Sequence, residues 1–418
     1  MKILILSINY WPEVTGIGAF TTYRAEYLAA AGHEVEVCTT FPYYPSWEVA
    51  PEYAGTLVKD QTHNGVGIFR SLCYVPRVPS SVRRILHEGS FIFTSFLRAL
   101  VRKRPDVIFV ISPPLGLAAS AILLSRLRGI PYIFDVEDLQ PDSAAEHNML
   151  PQWALKFLYK VEAAAYKNAA LVTTLTSGMR KQIVAKGVPA EKVALIEPRM
   201  DAALAEIDAE EGQAFRKKYG IGDEFLVVHS GNIGIKQGLD VIVDAAALNH
   251  GDKSTLFLIV GDGGDRQRIQ QRAQKMGLEN LRFLPLLDEI DFRGLLAASG
   301  VCLVTQRKSA SEIAFPSKVV TYLAAGCALL ASVNEQSEIA QTILESEAGV
   351  VVEGENPQAL LDAAIKLKSA NLEQFGQNAR GYAYLRWSSA RVLGNLERCL
   401  LSVVITEPRT LTREETLQ

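Results

Sequence analysis

Four short stretches of the chain combine glycines with donors or cations at spacings that suit a diphosphate. TGIGAF, Thr15 to Phe20, places Gly16 and Gly18 after the opening apolar run and ahead of a helical pattern. There the backbone amides and partial positive charge of a helix N-terminus favour an anion. HSGNIGIKQGL, His229 to Leu239, repeats the arrangement: Gly231, Gly234 and Gly238 free the backbone, and Asn232 and Lys236 add side-chain donors. IVGDGGDRQRI, Ile259 to Ile269, ends a strand in Gly261, Asp262, Gly263 and Gly264, so Asp262 either touches a nucleotide or serves the turn and helix start. SASEIAFPSKVVTYLAAGCALLAS, Ser309 to Ser332, carries Glu312 on a loop, a helix start at Pro316 and Ser317, Lys318 in the first turn and Gly326 as the stop. A Lys and a Glu at one helix mouth suit a diphosphate and sugar hydroxyls respectively. The bland alternatives are tight turns in the first two stretches and a helix cap in the third.

Elements that would position these loops follow from the hydrophobic pattern. Short apolar runs alternate with longer amphipathic stretches, the signature of parallel sheets wrapped by crossover helices. Strands are expected at Lys2–Ser7, Glu34–Thr39, Val107–Ile111, Tyr132–Asp135 and Leu171–Thr174, with helices at Ala19–Ala31 and Pro151–Asn168. The pattern restarts after Asp201 with strands at Phe225–Ser230, Ser254–Val260, Leu281–Leu284, Val301–Thr305 and Ala328–Ala331, and helices at Leu239–Leu248 and Arg266–Met276. The acidic stretch Asp201–Glu211 reads as the linker, and Ala379–Val403 as one long closing helix. The fold class is α/β, with ligands at the carboxyl ends of strands and the cleft between halves as the default active site.

Composition narrows the function classes. A chain of 418 residues with 48% hydrophobic content suits two domains, and a net charge of -3 argues against nucleic acid as partner. Charge is uneven: residues 1–200 carry 21 Lys+Arg against 17 Asp+Glu, and the remainder 22 against 29. The basic excess gathers in Arg77, Arg83, Arg84, Arg98, Arg102, Lys103 and Arg104, opposed only by Glu88. There SSVRRILHEGSFIFTSFLRALVRKRP mixes cations with Phe91, Phe93, Phe96, Leu97 and Leu100, suiting either an anionic membrane surface or a core helix with a solvated basic end. Five scattered cysteines suggest neither disulfides nor a zinc site, which fits the reducing cytoplasm. The longest apolar stretch is broken by Pro113 and Pro114, so no spanning helix is expected.

The stretches SINYWPEVTGIG, FPYYPSW, SGNIGIKQGL and FPSKVVTYLAAG resemble family 4 of the glycosyltransferases over roughly residues 1–400. The resemblance implies the GT-B fold, two Rossmann-like parallel-sheet domains facing a central cleft, with no cofactor, no obligatory metal and transfer with retention of configuration. It implies an acceptor-binding domain over 1–200, a nucleotide-sugar-binding domain over 201–385, a helix over 386–405 packing back on the first domain, and a tail over 406–418. Gly16 and Gly18 match the loop meeting donor phosphate and acceptor, and Asp138 falls where a polar residue points at the reacting sugar, with Glu137 as rival. Gly231, Asn232 and Lys236 match the phosphate loop, Glu312 lies near the first Glu of the family's pair, and Lys318 fits a PSK variant of that motif. Two positions depart from the pattern: Asn232 and Gln237 replace the usual Arg and Lys, and Thr321 stands where a Glu usually holds the donor ribose.

Without an obvious enzymic nucleophile, catalysis would rest on stabilising charge that develops on the leaving diphosphate. The most similar branch of the family builds bacterial exopolysaccharide, which implies GDP-fucose as donor and a polyprenyl-diphosphate-linked sugar as acceptor. A UDP-linked N-acetylated amino sugar is the rival donor. The protein would then sit in the cytoplasm, peripheral on the inner face of the plasma membrane. Two other classes remain open from residues alone: a nucleotide-sugar 2-epimerase and a non-catalytic nucleotide-sugar-binding protein.

Overall fold

The computed structural model describes residues 1–418 except 14–15, 79, 147–149, 309–316 and 407–418. They form two compact units, Met1–Glu197 with Leu393–Gln418, and Pro198–Val392. Thr15 and Glu312, both singled out above, lie outside the described residues.

The first unit holds an eight-stranded sheet. Its strands are β1 (Lys2–Leu6), β2 (Glu34–Thr40), β3 (Val58–His63), β4 (Val66–Ser71), β5 (Val107–Ser112), β6 (Tyr132–Val136), β7 (Leu171–Thr174) and β8 (Val193–Leu195). They run in the order β3-β4-β2-β1-β5-β6-β7-β8, parallel except for the antiparallel β3–β4 pair. The second unit holds β9 (Phe225–Ser230), β10 (Thr255–Val260), β11 (Leu281–Leu284), β12 (Val301–Thr305), β13 (Leu329–Val333) and β14 (Gly349–Glu353). These are all parallel, in the order β11-β10-β9-β12-β13-β14. Strand order therefore reverses between β1 and β5 in one sheet and between β9 and β12 in the other. Outside the carboxyl ends of such switch-point strands, doubly wound sheets bind their ligands.

Helices cover both faces of these sheets, so the central strands are apolar throughout. All six residues of β10, TLFLIV, are buried, as parallel strands covered on both faces require. Expected strands and helices recur with ends moved by a few residues. Four strands escaped the sequence reading. β3 (VKDQTH) is an edge strand with a mostly exposed, polar surface, and β8 has only three residues, so neither carries a strong apolar signal.

The acidic stretch read as a linker is folded. Ala202–Glu206 is a short 3₁₀ helix with Leu204 buried, Asp208 caps the next helix, and Arg293 binds both Glu211 and the Ala203 carbonyl. The single closing helix is two, Leu372–Trp387 and Ser389–Thr406, because Ser388 adopts an extended conformation (φ -59°, ψ 146°). From Leu393 onward the second of them belongs to the first unit, where Glu397 meets His33 at 2.9 Å.

The Ser81–Leu100 helix wears its apolar stripe outward. His87, Phe91, Ser95 and Ala99, four apart, face the core, while Val82, Leu86, Phe93, Leu97 and Leu100 are exposed. Phe91 thus leaves the lipid-facing set proposed from sequence. So do two cations, since Arg98 pairs with Asp60 and Arg102 holds Glu36 at 3.2 Å, whereas Arg104 stays exposed while donating to the carbonyls of Arg128 and Gly129. Among the described residues no helix is long and apolar enough to cross a membrane.

Candidate active site

At the switch point of the second unit two glycine loops interlock. Beyond β9, the Ile233 N–H donates to the Asp262 carbonyl at 2.8 Å, and the Ile233 carbonyl accepts from Asp265 N at 3.0 Å. Gly261 has φ +134°, and a Cβ there would lie 1.9 Å from the Gly231 carbonyl oxygen. A Cβ on Gly263 would come within 2.7 Å of the Asn232 side chain. Gly261 and Gly263 thus have a packing reason of their own, because only a bare α-carbon lets one loop lie on the other. Gly261→Ala should destabilise this unit by about 3 kcal/mol through strain and overlap. For a unit of this size the melting temperature should fall by roughly 6–12 °C in calorimetry. An unchanged transition would contradict the interlock.

Lys318 stands beside this platform. It occupies the first turn of the Ser317–Ala325 helix, and its Nζ lies 3.6 Å from where a Cβ on Gly231 would be. One turn on, Tyr322 fixes that relation: its fully buried hydroxyl accepts from Ser230 N at 3.0 Å and meets Ser230 Oγ at 2.8 Å. The i, i+4 spacing puts Lys318 and Tyr322 on one helix face. Lys318 Nζ is 3.4 Å from His229 Nε2. Burial pushes the Lys318 ammonium down to about 8. His229 is fully buried and held well below its ordinary value by burial and then by Lys318, so its imidazole is neutral and accepts from the ammonium. The arrangement is a half-buried cation at a helix start, set beside the glycine turn that follows β9.

The other residues named from sequence sit around it with different freedom. Ser317 is exposed at the helix start, and its carbonyl accepts from Thr321 Oγ1 at 3.2 Å, so the Thr321 hydroxyl proton is already used. Asn232 and Lys236 are exposed on the loop, the Lys236 carbonyl accepting from Arg307 N at 3.0 Å. Asp262 is exposed too, and its carboxylate accepts from Gly263 N at 2.8 Å, the local turn role that was one of its two readings. Arg307, unweighted in the sequence, lies just beyond β12, with its side chain against Gly238 and its guanidinium 3.4 Å from Asp240. Arg268 and Arg272 hold that carboxylate closer, at 2.7 Å. Arg307's place just beyond a switch-point strand was the signal that could have found it.

In the first unit, the loop after β1 is organised by Glu13, a residue that neither glycine spacing nor helix pattern singles out in the sequence. The buried carboxylate accepts from Tyr43 N at 2.9 Å and Tyr44 N at 2.8 Å through Oε1, and from Asn9 at 2.8 Å through Oε2. Burial raises its pKa against the pull of these bonds. A Cβ on Gly18 would lie 2.9 Å from the Glu13 Cβ, so Gly18 is what admits this clamp. Gly16, at φ +59°, opens the Gly16–Ala30 helix. Deeper in that helix Arg24, 0% exposed, binds Asp135 at 2.8 Å and Glu137 at 2.7 Å. Glu137 is thereby committed to the interior, whereas Asp138 is exposed after β6 and accepts from Ser143 at 3.0 Å.

A cavity of about 590 Å³ lies elsewhere in this unit, lined by Tyr159, Glu162, Tyr166 and Lys186 among others. Its polar groups satisfy one another: Lys186 bridges Glu162 and Asp142, and Tyr166 donates to Glu162. Among the described residues no three His, Cys, Asp or Glu side chains cluster in a way that could hold a metal ion.

Residues 15–199 match the glycosyl transferase 4-like domain and residues 211–382 the glycosyl transferases group 1 domain. WcaI of Escherichia coli (strain K12), named as a colanic acid biosynthesis glycosyl transferase, is 34% identical over 400 residues, covering 92% of this chain and 95% of WcaI. Among solved structures, sucrose-phosphate synthase from Thermosynechococcus elongatus superposes with a TM-score of 0.71 at 18% identity, covering 96% of this chain and 99% of its own. The Anabaena protein HepE in complex with UDP gives 0.70 at 16% identity, over 96% and 100%. Taken with two parallel-sheet units of Rossmann order, these matches show that the chain belongs to family 4 of the glycosyltransferases and is a glycosyltransferase of the GT-B fold.

Proposed function

We propose that this glycosyltransferase moves a hexose, with retention, from a nucleotide sugar to a polyprenyl-diphosphate-linked glycan during exopolysaccharide assembly, and that GDP-fucose is the donor. The observation that carries the reading is Lys318 beside Gly231, at the carboxyl end of β9 and at a helix start. A donor diphosphate in this place meets the ammonium and backbone amides together. The bond from C1 to the diphosphate oxygen breaks with its electron pair leaving on the diphosphate, and the acceptor oxygen bonds C1 from the same face. The acceptor proton passes to the departing diphosphate. The exopolysaccharide setting draws on the name of the E. coli relative. Thermal shift across GDP- and UDP-sugars tests the donor, because selective binding raises stability by mass action. Stabilisation by GDP-fucose above all others is expected, and stabilisation by UDP-linked amino sugars instead would reassign the donor.

The outward stripe of the Ser81–Leu100 helix supports a membrane-borne acceptor. Val82 at 69% and Phe93 at 63% exposure, with Leu86, Leu97 and Leu100 also exposed, put apolar side chains on the outer face, with exposed Arg77 and Lys103 near its ends. Such a helix lies in the lipid interface with its apolar face down. Replacing Phe93 and Leu97 by Ser removes about 3 kcal/mol or more of apolar burial in lipid. Binding to vesicles with anionic lipid should weaken at least tenfold in flotation. Equal flotation of variant and wild type, or none by either, would sink the membrane reading and leave the donor site untouched.

A further inference from the structure

The loops after β1 and β2 emerge side by side, because these strands are paired in parallel from Lys2↔Glu34 to Leu6↔Cys38. One carries Gly16 at the start of a helix and the other carries Tyr43 and Tyr44. Tyr44 is 42% exposed, and its ring reaches 4.0 Å from where a Cβ on Gly16 would stand. Its backbone cannot wander. Glu13 holds Tyr44 N at 2.8 Å and Tyr43 N at 2.9 Å. Tyr43 is buried against His87 with ring centroids 4.7 Å apart and against Trp47 at 5.4 Å, and Ser46 donates to the Tyr43 carbonyl at 3.1 Å. An exposed aromatic ring on a backbone this firmly fixed, over a floor that lacks a side chain at Gly16, is a preformed wall at the edge where the sheet binds its ligands.

We infer that Tyr44 forms one wall of the acceptor subsite and covers the apolar C–H face of a pyranose, while helix-terminal amides near Gly16 meet the hydroxyl rim. This rests on the transfer function proposed above. A sugar ring suits the site because it offers an apolar face of ring C–H groups and a polar edge at once, matching a flat ring beside backbone donors. A purely hydrocarbon occupant would leave the amides at the helix start without partners.

The test is saturation-transfer NMR on the full chain, irradiating aromatic protons in the presence of methyl glycosides of fucose, galactose, glucose and N-acetylglucosamine. Saturation should pass to ring C–H protons of at least one glycoside in the wild type. It should fall at least fivefold in Tyr44→Ala and persist in Tyr44→Phe and Tyr44→Trp. Absence of transfer in the wild type, or transfer unchanged in Tyr44→Ala, overturns the inference. Stabilisation of the same samples by UDP or GDP reports the other unit, and an unchanged far-UV circular dichroism spectrum confirms that each variant keeps its first unit folded. If nucleotide stabilisation persists while sugar contact fails, only the Tyr44 proposal falls; if neither nucleotide stabilises any sample, the transfer reading beneath it falls as well.

Discussion

Lys318→Ala is expected to lower turnover with the cognate donor by about 10²-fold or more, the usual loss when one preorganised electrostatic donor is removed from a developing oxyanion. Burial against His229 and the Gly231 turn holds the ammonium at about 8, so the unliganded protein buries this charge at a cost. A bound diphosphate restores an opposite charge at the same place and favours the protonated form. Nucleoside diphosphate binding between pH 8 and 9 should therefore take up protons, and affinity should fall as pH rises above about 8. Calorimetry in buffers of different ionisation enthalpy measures this uptake, which Lys318→Met should abolish. The unliganded protein shows the same group from the other side: its folded value lies below the unfolded one, so the unfolded chain binds the extra proton and stability rises with pH from about 8 toward 10.5. Near-normal turnover of Lys318→Ala at saturating donor, or proton uptake that survives in Lys318→Met, would remove Lys318 from the site.

Arg24→Met should cost the first unit about 3–5 kcal/mol, because it strips the shared partner from two carboxylates in the interior. For a unit of this size the melting temperature should fall by roughly 10 °C or more. Asp135 keeps only its bond from Thr173 at 2.6 Å, and Glu137 loses its guanidinium. Burial raises the pKa of Glu137 even with Arg24 present, and Asp135 pushes the same way. Without Arg24 the rise is larger. A carboxylate whose folded value exceeds its unfolded one binds more protons when folded, so its stability contribution is lost as pH climbs between the two values. The deficit of Arg24→Met should accordingly be smaller at pH 5 than at pH 8, in thermal unfolding followed by circular dichroism. Adding Asp135→Asn and Glu137→Gln should recover part of it, since amides carry no charge to desolvate. A deficit that does not change with pH would mean that the network is held by packing rather than by charge.

Much of this architecture is written locally. Unbroken apolar runs such as TLFLIV announce parallel strands covered on both faces, and the glycine stretches after β1, β9 and β10 mark turns at strand ends. The pairing of Lys318 with Tyr322 follows from four-residue spacing on a helix. Polar β3 carried no such signal, and the break at Ser388 is a matter of one residue's conformation inside a pattern that reads as continuous.

What tertiary structure alone decided are the meetings of residues far apart in the chain. His229 reaches Lys318 across 89 positions, Arg24 reaches Asp135 across 111, and Glu13 reaches Tyr44 across 31. The alternation of apolar and polar residues in Ser81–Leu100 was visible, yet which stripe turns inward depended on the sheet beneath: Phe91 turned in, while Val82, Leu86, Phe93, Leu97 and Leu100 turned out. Periodicity is a property of neighbouring residues and survives in sequence. Desolvation and charge pairing depend on what the fold brings within a few ångströms, and these set the protonation of Lys318 and the commitment of Glu137.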